Sequence, residues 1–384
     1  MSASFPPLED RYLELRARAK ALADQCLDLA EKADESDSTD PDVLRLLKES
    51  GLAAVQVPAA YGGTFEQPDS LAGTIIREQL AASSSHLDSL FAMQGIGSFA
   101  ISVGGAEEVK QTWLPRVASM DAIAALALTE PEVGSDLKAL TTTVRVDGDE
   151  LVVNGTKSFI TNGGDAHFYC VLGKEDVDGK EGYTLVLVPA DTPGVSTSRP
   201  YQIMAPHVLG DIAFDEVRVP ISHRIGEPGK GFSLVLATLA TFRVSVAGAA
   251  LGTAQAALDD ALEHTTGRRQ FGVELARLGP VPQMLAMSWT EIEMARAFTY
   301  QVARAAANDP LGSLHLSSMA KIGATEVTGR VVDRSVQVMG RFGLVRGSRI
   351  ERLYRAARPM RVYEGATEVL LDALSKQLVR GVAR

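Results

Sequence analysis

The feature that most constrains this chain is a change of hydrophobic period at two points along it. In the first third, apolar residues recur every three to four positions. In the middle they alternate, and beyond Gly229 the three-to-four spacing returns over much longer stretches. The first spacing suits an amphipathic helix and the alternation a half-buried strand, so the chain should build helices, then a sheet, then helices again. The expected fold class is α+β multidomain: an N-terminal α-helical domain over residues 1–120, a middle antiparallel β domain over 121–224, and a C-terminal four-helix-bundle-like domain over 229–384.

Local signals agree. Asp40 followed by Pro41 is a helix start, Val43, Leu44, Leu46 and Leu47 supply one apolar face, and Gly51 ends it. Helical patterns also cover Ser70 to Ala82, His86 to Val103 and Ala106 to Ala118. The middle holds short alternating segments at Thr141–Val146, Leu151–Thr161, Phe168–Gly173, Tyr183–Pro189 and Phe214–Pro220, which read as antiparallel hairpins. Asn154-Gly155 reads as a tight hairpin turn. Phe232 to His264 is apolar on nearly all sides, which implies burial within a bundle, and Gly267 closes it. Long helices are expected at Pro282–Ala307 and Leu316–Met339, the latter stopped by Gly340.

Charge and cysteine usage narrow the function classes. With 38 basic and 48 acidic residues the formal charge is −10, and the basic residues are scattered, which argues against nonspecific nucleic-acid binding. Cys26 and Cys170 stand alone and none of the six histidines has HExxH or ExxH spacing, so no disulfide framework and no metal are expected. The N-terminus lacks a secretory pattern and no apolar stretch approaches the roughly 20 residues of a membrane span, so the expected setting is cytoplasmic with no membrane partner.

Few segments carry chemistry. There is no GxGxxG between strand and helix and no GxxxxGK[ST]. Ser318-Met319-Ala320-Lys321 matches the SxxK of serine acylases but lies in a helix and lacks the companion motifs. The run Ala127–Asp136, ALTEPEVGSD, ends a strand in an acid, a proline, a glycine and a serine. Such a turn offers backbone N–H groups and small hydroxyls to a flavin or phosphate, and an ordinary strand-end turn explains it equally well. Glu364 sits between Val362-Tyr363 and Gly365. In an apolar pocket its pKa would rise above the ordinary value of about 4.3, making it a base for a weak carbon acid. On these residues alone a capping or salt-bridged glutamate near Arg358 and Arg361 is the stronger reading.

Seven segments in order change that balance: VPAAYGG (Val57–Gly63), ALTEPEVGSD, NGTKSFITNG (Asn154–Gly163), FDEVRVP (Phe214–Pro220), GRRQFG (Gly267–Gly272), SVQVMG (Ser335–Gly340) and VYEG (Val362–Gly365). Together they resemble the acyl-CoA dehydrogenase family of flavoproteins over essentially the whole chain. The resemblance implies FAD-dependent α,β-dehydrogenation of an acyl thioester to its trans-2-enoyl product. In it Glu364 would remove the α-proton, and flavin N5 would take the β-hydrogen as hydride. It further implies that Leu128 and Thr129 contact the isoalloxazine, that Gly134 and Ser135 approach the pyrophosphate, with Ser135 also at the thioester's pantetheine, and that Phe159, Ile160 and Thr161 cover the ring's other face. Arg268, Phe271 and Gln337 would reach the FAD of a neighbouring subunit, making the enzyme a homotetramer or homodimer. Gly340, Arg341, Ala366 and Glu368 fall among the remaining FAD contacts, and Arg243, Tyr363 and Gly365 with Ser135 on the substrate side.

Phe242 occupies the position where some members carry their base, which leaves Glu364 for that role. Two departures stand out: Arg341 replaces a usual second glycine, and Ala366 replaces a usual hydroxyl residue, with Thr367 next. The implied partners are acyl-CoA or an acyl-carrier thioester and an electron-transfer flavoprotein. An acyl-CoA oxidase or a carrier-protein-acyl dehydrogenase fits the same motifs. A non-catalytic or nucleic-acid-associated member is the rival of another class.

Overall fold

The structure, a computed structural model, describes residues 7–382. In chain order the helices and strands begin with α1 (Asp10–Ala33), α2 (Pro41–Ser50), α3 (Ser70–Ala81), α4 (Ser85–Gly104) and α5 (Glu107–Ala118). The strands β1 (Ala124–Ala127), β2 (Thr143–Asp147), β3 (Glu150–Thr161), β4 (Phe168–Val177), β5 (Lys180–Pro189), β6 (Val195–Ser198), β7 (Leu209–Pro220) and β8 (Arg224–Ile225) follow. Then come α6 (Gly231–Gly267), the hairpin β9 (Arg269–Gln270) and β10 (Val273–Glu274), α7 (Val281–Asn308), α8 (Leu314–Met339), α9 (Arg349–Ala357) and α10 (Thr367–Val382). Helix α2 begins and ends as its residues dictate. The Asp40 carboxylate accepts from the N–H groups of Asp42 and Val43, and Gly51 takes φ 64° beyond the last turn.

Compactness divides the chain into two units. One comprises the chain up to Asp34 with Ser70–Asp88 and Arg243 onward; the other comprises Glu35–Asp69 and Ser89–Phe242. The second holds an eight-stranded sheet of order β6-β7-β3-β2-β4-β5-β8, with β1 paired to β4. Alternation along β4 and β5 feeds two cores. Phe168, Cys170, Leu172, Leu185 and Leu187 pack with Trp113, Leu114 and Val117 of α5, while Tyr169, Val171, Val186 and Val188 pack with Leu151, Val153, Ile212 and Phe214. Burial on both faces is why FYCVL is an unbroken apolar run.

Two expectations about the sheet are corrected. It is mixed, not purely antiparallel: β1 runs parallel to β4, and β2 meets β4 in parallel at Thr143 and Lys174. Asn154-Gly155 is not a hairpin turn but a bulge inside β3, between the pairs of Val153 and Gly155 with β7. Gly155 takes φ 146°, where a Cβ would lie 2.5 Å from Thr142 Oγ1, and the Asn154 amide is used across the sheet by Glu216.

The first unit is helical. Within it α1 and α7 pack on α3, α7 and α9 pack on α8, and α10 closes on α8. Gly248 and Gly252 of α6 lie one turn apart against α3; a Cβ there would stand 2.3 Å from the Thr74 carbonyl oxygen and 1.9 Å from that of Glu78. By length and composition α6 also contains a stretch apolar enough to cross a membrane, against the expectation that no such stretch exists. Most of that apolar segment is buried inside the protein, so the composition reflects an interior helix.

Candidate active site

Within the β unit the two motif-rich segments are joined. Lys157 of β3 is fully buried, donating from Nζ to the Leu128 carbonyl at 2.9 Å and to Glu130 Oε1 at 3.0 Å. The next residue, Ser158, donates its N–H to the Thr129 carbonyl at 2.9 Å. Glu130 also accepts from both the N–H and hydroxyl groups of Thr141 and Thr142, at 2.6 to 2.9 Å. Burial raises the Glu130 carboxyl, but these bonds outweigh it and hold it down at about 2. Burial lowers Lys157 to about 8 while Glu130 resists.

So braced, the strand end after β1 exposes groups a ligand can use. The N–H groups of Gly134 and Ser135 and the hydroxyls of Thr129 and Thr161 have no hydrogen-bond partner among the described residues. Phe159 sits at φ 55° in a second bulge of β3, between Lys157 and Ile160, while Ile160 stays buried. Its ring, 48% exposed, stacks on Tyr201 at 4.3 Å and 14°. An exposed aromatic face, free hydroxyls and free N–H groups fit a flavin and its phosphates.

Within the helical unit the loop between α9 and α10 carries Glu364 at φ 52° and Gly365 at φ 102°. The strained glutamate is held from behind. Arg243 of α6 donates from Nε to the Glu364 carbonyl at 3.1 Å and from Nη1 to Ser318 Oγ at 3.1 Å. Lys321 of α8 donates to the Gly365 carbonyl at 2.8 Å. Glu326 of α8 ties both ends of the loop, accepting from Arg361 Nε at 2.8 Å and Thr367 Oγ1 at 3.0 Å. The hydroxyl of Thr367 is therefore spent on α8, which answers the departure at Ala366.

The Glu364 carboxyl itself is unpaired. Among the described residues its buried Oε2 and its backbone N–H have no hydrogen-bond partner, and it joins no ion pair. The salt-bridged reading is thus corrected: Arg361 pairs with Glu326 instead. Burial raises the Glu364 carboxyl above its ordinary value; Arg77, Arg243 and Lys321 pull the other way. Arg77 is bound bidentately by Asp88 at 2.9 and 2.7 Å and donates to Ser245 at 3.0 Å. Tyr363, 39% exposed, has its phenol beside the Arg77 guanidinium. Arg243 makes no salt bridge among the described residues, and Phe242 packs among Ala92, Met93, Ile96 and Phe99.

The residues implied at a neighbouring subunit's cofactor are partly brought together. The Arg268 and Arg341 guanidiniums both lie over the Phe342 ring, at 5.2 and 5.0 Å, with no ion pair among the described residues. Phe271 and Gly272, at φ 51° and 82°, make the two-residue turn of the β9–β10 hairpin, with the Phe271 ring 94% exposed. Gln337 is exposed near the end of α8, before Gly340, while Ala366 is half-buried and Glu368 exposed at the start of α10. Sequence reasoning missed Lys157, Glu130, Lys321 and Glu326. A lysine at an inward position of an alternating strand was the available signal for the first pair.

Family models describing the acyl-CoA dehydrogenase N-terminal, middle and C-terminal domains match residues 9–121, 125–217 and 229–379 in succession. The chain belongs to the acyl-CoA dehydrogenase family. It is 30% identical over 366 residues to cyclohexane-1-carbonyl-CoA dehydrogenase of Geobacter metallireducens, covering 95% of this chain and 96% of that one. Butyryl-CoA dehydrogenase from Megasphaera elsdenii superposes with TM-score 0.91 at 29% identity, over 97% of this chain and 99% of that one. A glutaryl-CoA dehydrogenase from Mycobacterium smegmatis, solved in complex with FADH2, superposes with TM-score 0.89 at 25% identity, over 97% and 95%. The expected fold and the expectation of an FAD-dependent oxidoreductase are met at the level of the family.

Proposed function

We infer that this enzyme removes the α-proton of an acyl-CoA thioester with Glu364 and yields the α,β-unsaturated product. The observation that carries the reading is the buried, unpartnered Oε2 of Glu364 on a loop held by α6 and α8. A carboxylate without donors keeps its lone pairs free for a proton, and burial makes it a stronger base than a carboxylate in water. The free Glu364 N–H is assigned to the thioester carbonyl oxygen, where negative charge develops as the α-proton leaves. FAD, when bound, supplies the acceptor for the β-hydrogen at its N5.

Leu128, Thr129, Gly134, Ser135, Phe159, Ile160 and Thr161 would hold that cofactor. Arg268, Phe271, Gln337 and Arg341 are assigned to the FAD of a second copy, which makes the functional form a homo-oligomer. The two unpaired guanidiniums on Phe342 support that assignment, since each can take a phosphate oxygen. An electron-transfer flavoprotein is the proposed oxidant of the reduced enzyme. The test is Glu364→Gln under anaerobic conditions: the variant should retain bound flavin and lose its bleaching by acyl-CoA esters. Bleaching at the parent rate would end the assignment.

A further inference from the structure

The SxxK segment of α8 has no acylase companions, yet both of its polar residues are buried, Lys321 on the loop of Glu364 and Ser318 on the arginine that holds it. Ser318 holds Arg243, whose Nε takes the Glu364 carbonyl. One turn later Lys321, 0% exposed, takes the Gly365 carbonyl, and Glu326 then ties Arg361 and Thr367. Two consecutive carbonyls of a positive-φ pair are thus each capped by a cation. A carbonyl needs no cation to be satisfied; a neutral amide would serve without the cost of burying a charge. The charge itself calls for an explanation.

The groups facing Lys321 are Glu364, Arg243, Glu326 and Glu368, and those facing Glu364 are Arg77, Arg243, Lys321 and Asp88. Arg77 is bound by Asp88, and Glu326 is occupied by Arg361. Arg243 and Lys321 form no ion pair among the described residues, and with Arg77, whose pull is the largest, they lower the Glu364 carboxyl against its burial. Burial lowers Lys321 to about 8, with Glu364 resisting, which leaves the ammonium charged at neutral pH.

We propose that Lys321 is a positioning residue of this enzyme: its ammonium pins the Glu364–Gly365 turn through the Gly365 carbonyl and sets a positive charge beside the carboxyl that the turn carries. The proposal rests on Glu364 being the base. The test follows anaerobic flavin bleaching by an acyl-CoA ester in Lys321→Met, Lys321→Gln and Lys321→Arg, taking the second-order rate constant across pH because it reports the free enzyme's base. Loss of the charge in the Met and Gln variants should move the acidic limb upward by on the order of one pH unit, which is about a tenfold loss of rate below the limb. Gln keeps a donor for Gly365 and reads the charge alone should the Met variant not fold. Arg should leave the limb in place.

A lysine that only packed or bonded would lower the rate at every pH with an unmoved limb. An unmoved limb in the uncharged variants overturns the proposal, as does an equal shift in the Arg variant. Glu364→Gln run in parallel separates the two readings: bleaching in that variant removes the base, whereas its loss alongside an unmoved limb removes only the role of Lys321.

Discussion

Glu130 and Glu364 are both acids withdrawn from water, and the fold treats them in opposite ways. Glu130 receives two N–H groups, two hydroxyls and the Lys157 ammonium, and is held at about 2. Glu364 has cations nearby, but Arg243 and Lys321 donate to backbone carbonyls and Arg77 to Asp88 and Ser245, which leaves its Oε2 bare, so burial wins and its affinity for a proton rises. Burial alone therefore does not make a base. What separates a carboxyl held down from one pushed up is whether hydrogen-bond donors reach its oxygens.

The contrast can be broken in several ways. The largest expected effect is on chemistry: Glu364→Gln should slow flavin bleaching by roughly 100- to 10,000-fold, the range of general base catalysis, with the melting temperature unchanged or raised. Glu130→Gln should do the reverse, lowering stability by about 3–5 kcal/mol in denaturant titrations because Lys157 is left buried without its counter-charge. Equal stability losses in the two variants would erase the distinction.

Acidity sharpens it further. The raised carboxyl of Glu364 contributes stability below its unfolded value that is lost as pH rises through its folded one, so acidification from neutral pH toward the ordinary glutamate value should stabilise the parent relative to Glu364→Gln. Bleaching should meanwhile fade through a limb above the ordinary glutamate range. The contribution of Glu130 runs the other way, being present above the ordinary value and lost only as pH falls toward about 2. The smallest effect is expected of Thr367→Ala, which frees one end of the loop from Glu326 at about 0.5–1.5 kcal/mol and lowers the bleaching rate only a few-fold.

Much of this molecule is legible in its residues. The Asp40-Pro41 start, the Gly51 stop and the strand at FYCVL follow from local chemistry, and the structure has them where the residues predict. The family motifs led directly to Glu364. How that glutamate is held was not legible: the resemblance put Arg243 on the substrate side, whereas Arg243 and Lys321 take the backbone carbonyls of Glu364 and Gly365, and Ser318 and Glu326 of α8 bind Arg243, Arg361 and Thr367, contacts between distant segments that leave no pattern in a sequence. Asn154-Gly155 misled for a related reason: turn chemistry also serves a bulge when the Asn amide is engaged by Glu216 on the next strand. The parallel pairing of β1 with β4 depends on how the chain returns after Pro131 and Gly134, a long-range outcome that periodicity does not encode.

The partition into two units carries a consequence for unfolding. The polypeptide passes from one unit to the other at 34/35, 69/70, 88/89 and 242/243, and the last two passages lie inside α4 and α6. A single backbone nick can release neither body, and melting either one tears turns out of a helix that the other shares. Calorimetry should accordingly register one cooperative endotherm, and engineers seeking a minimal fragment of this enzyme have no seam along which to trim it.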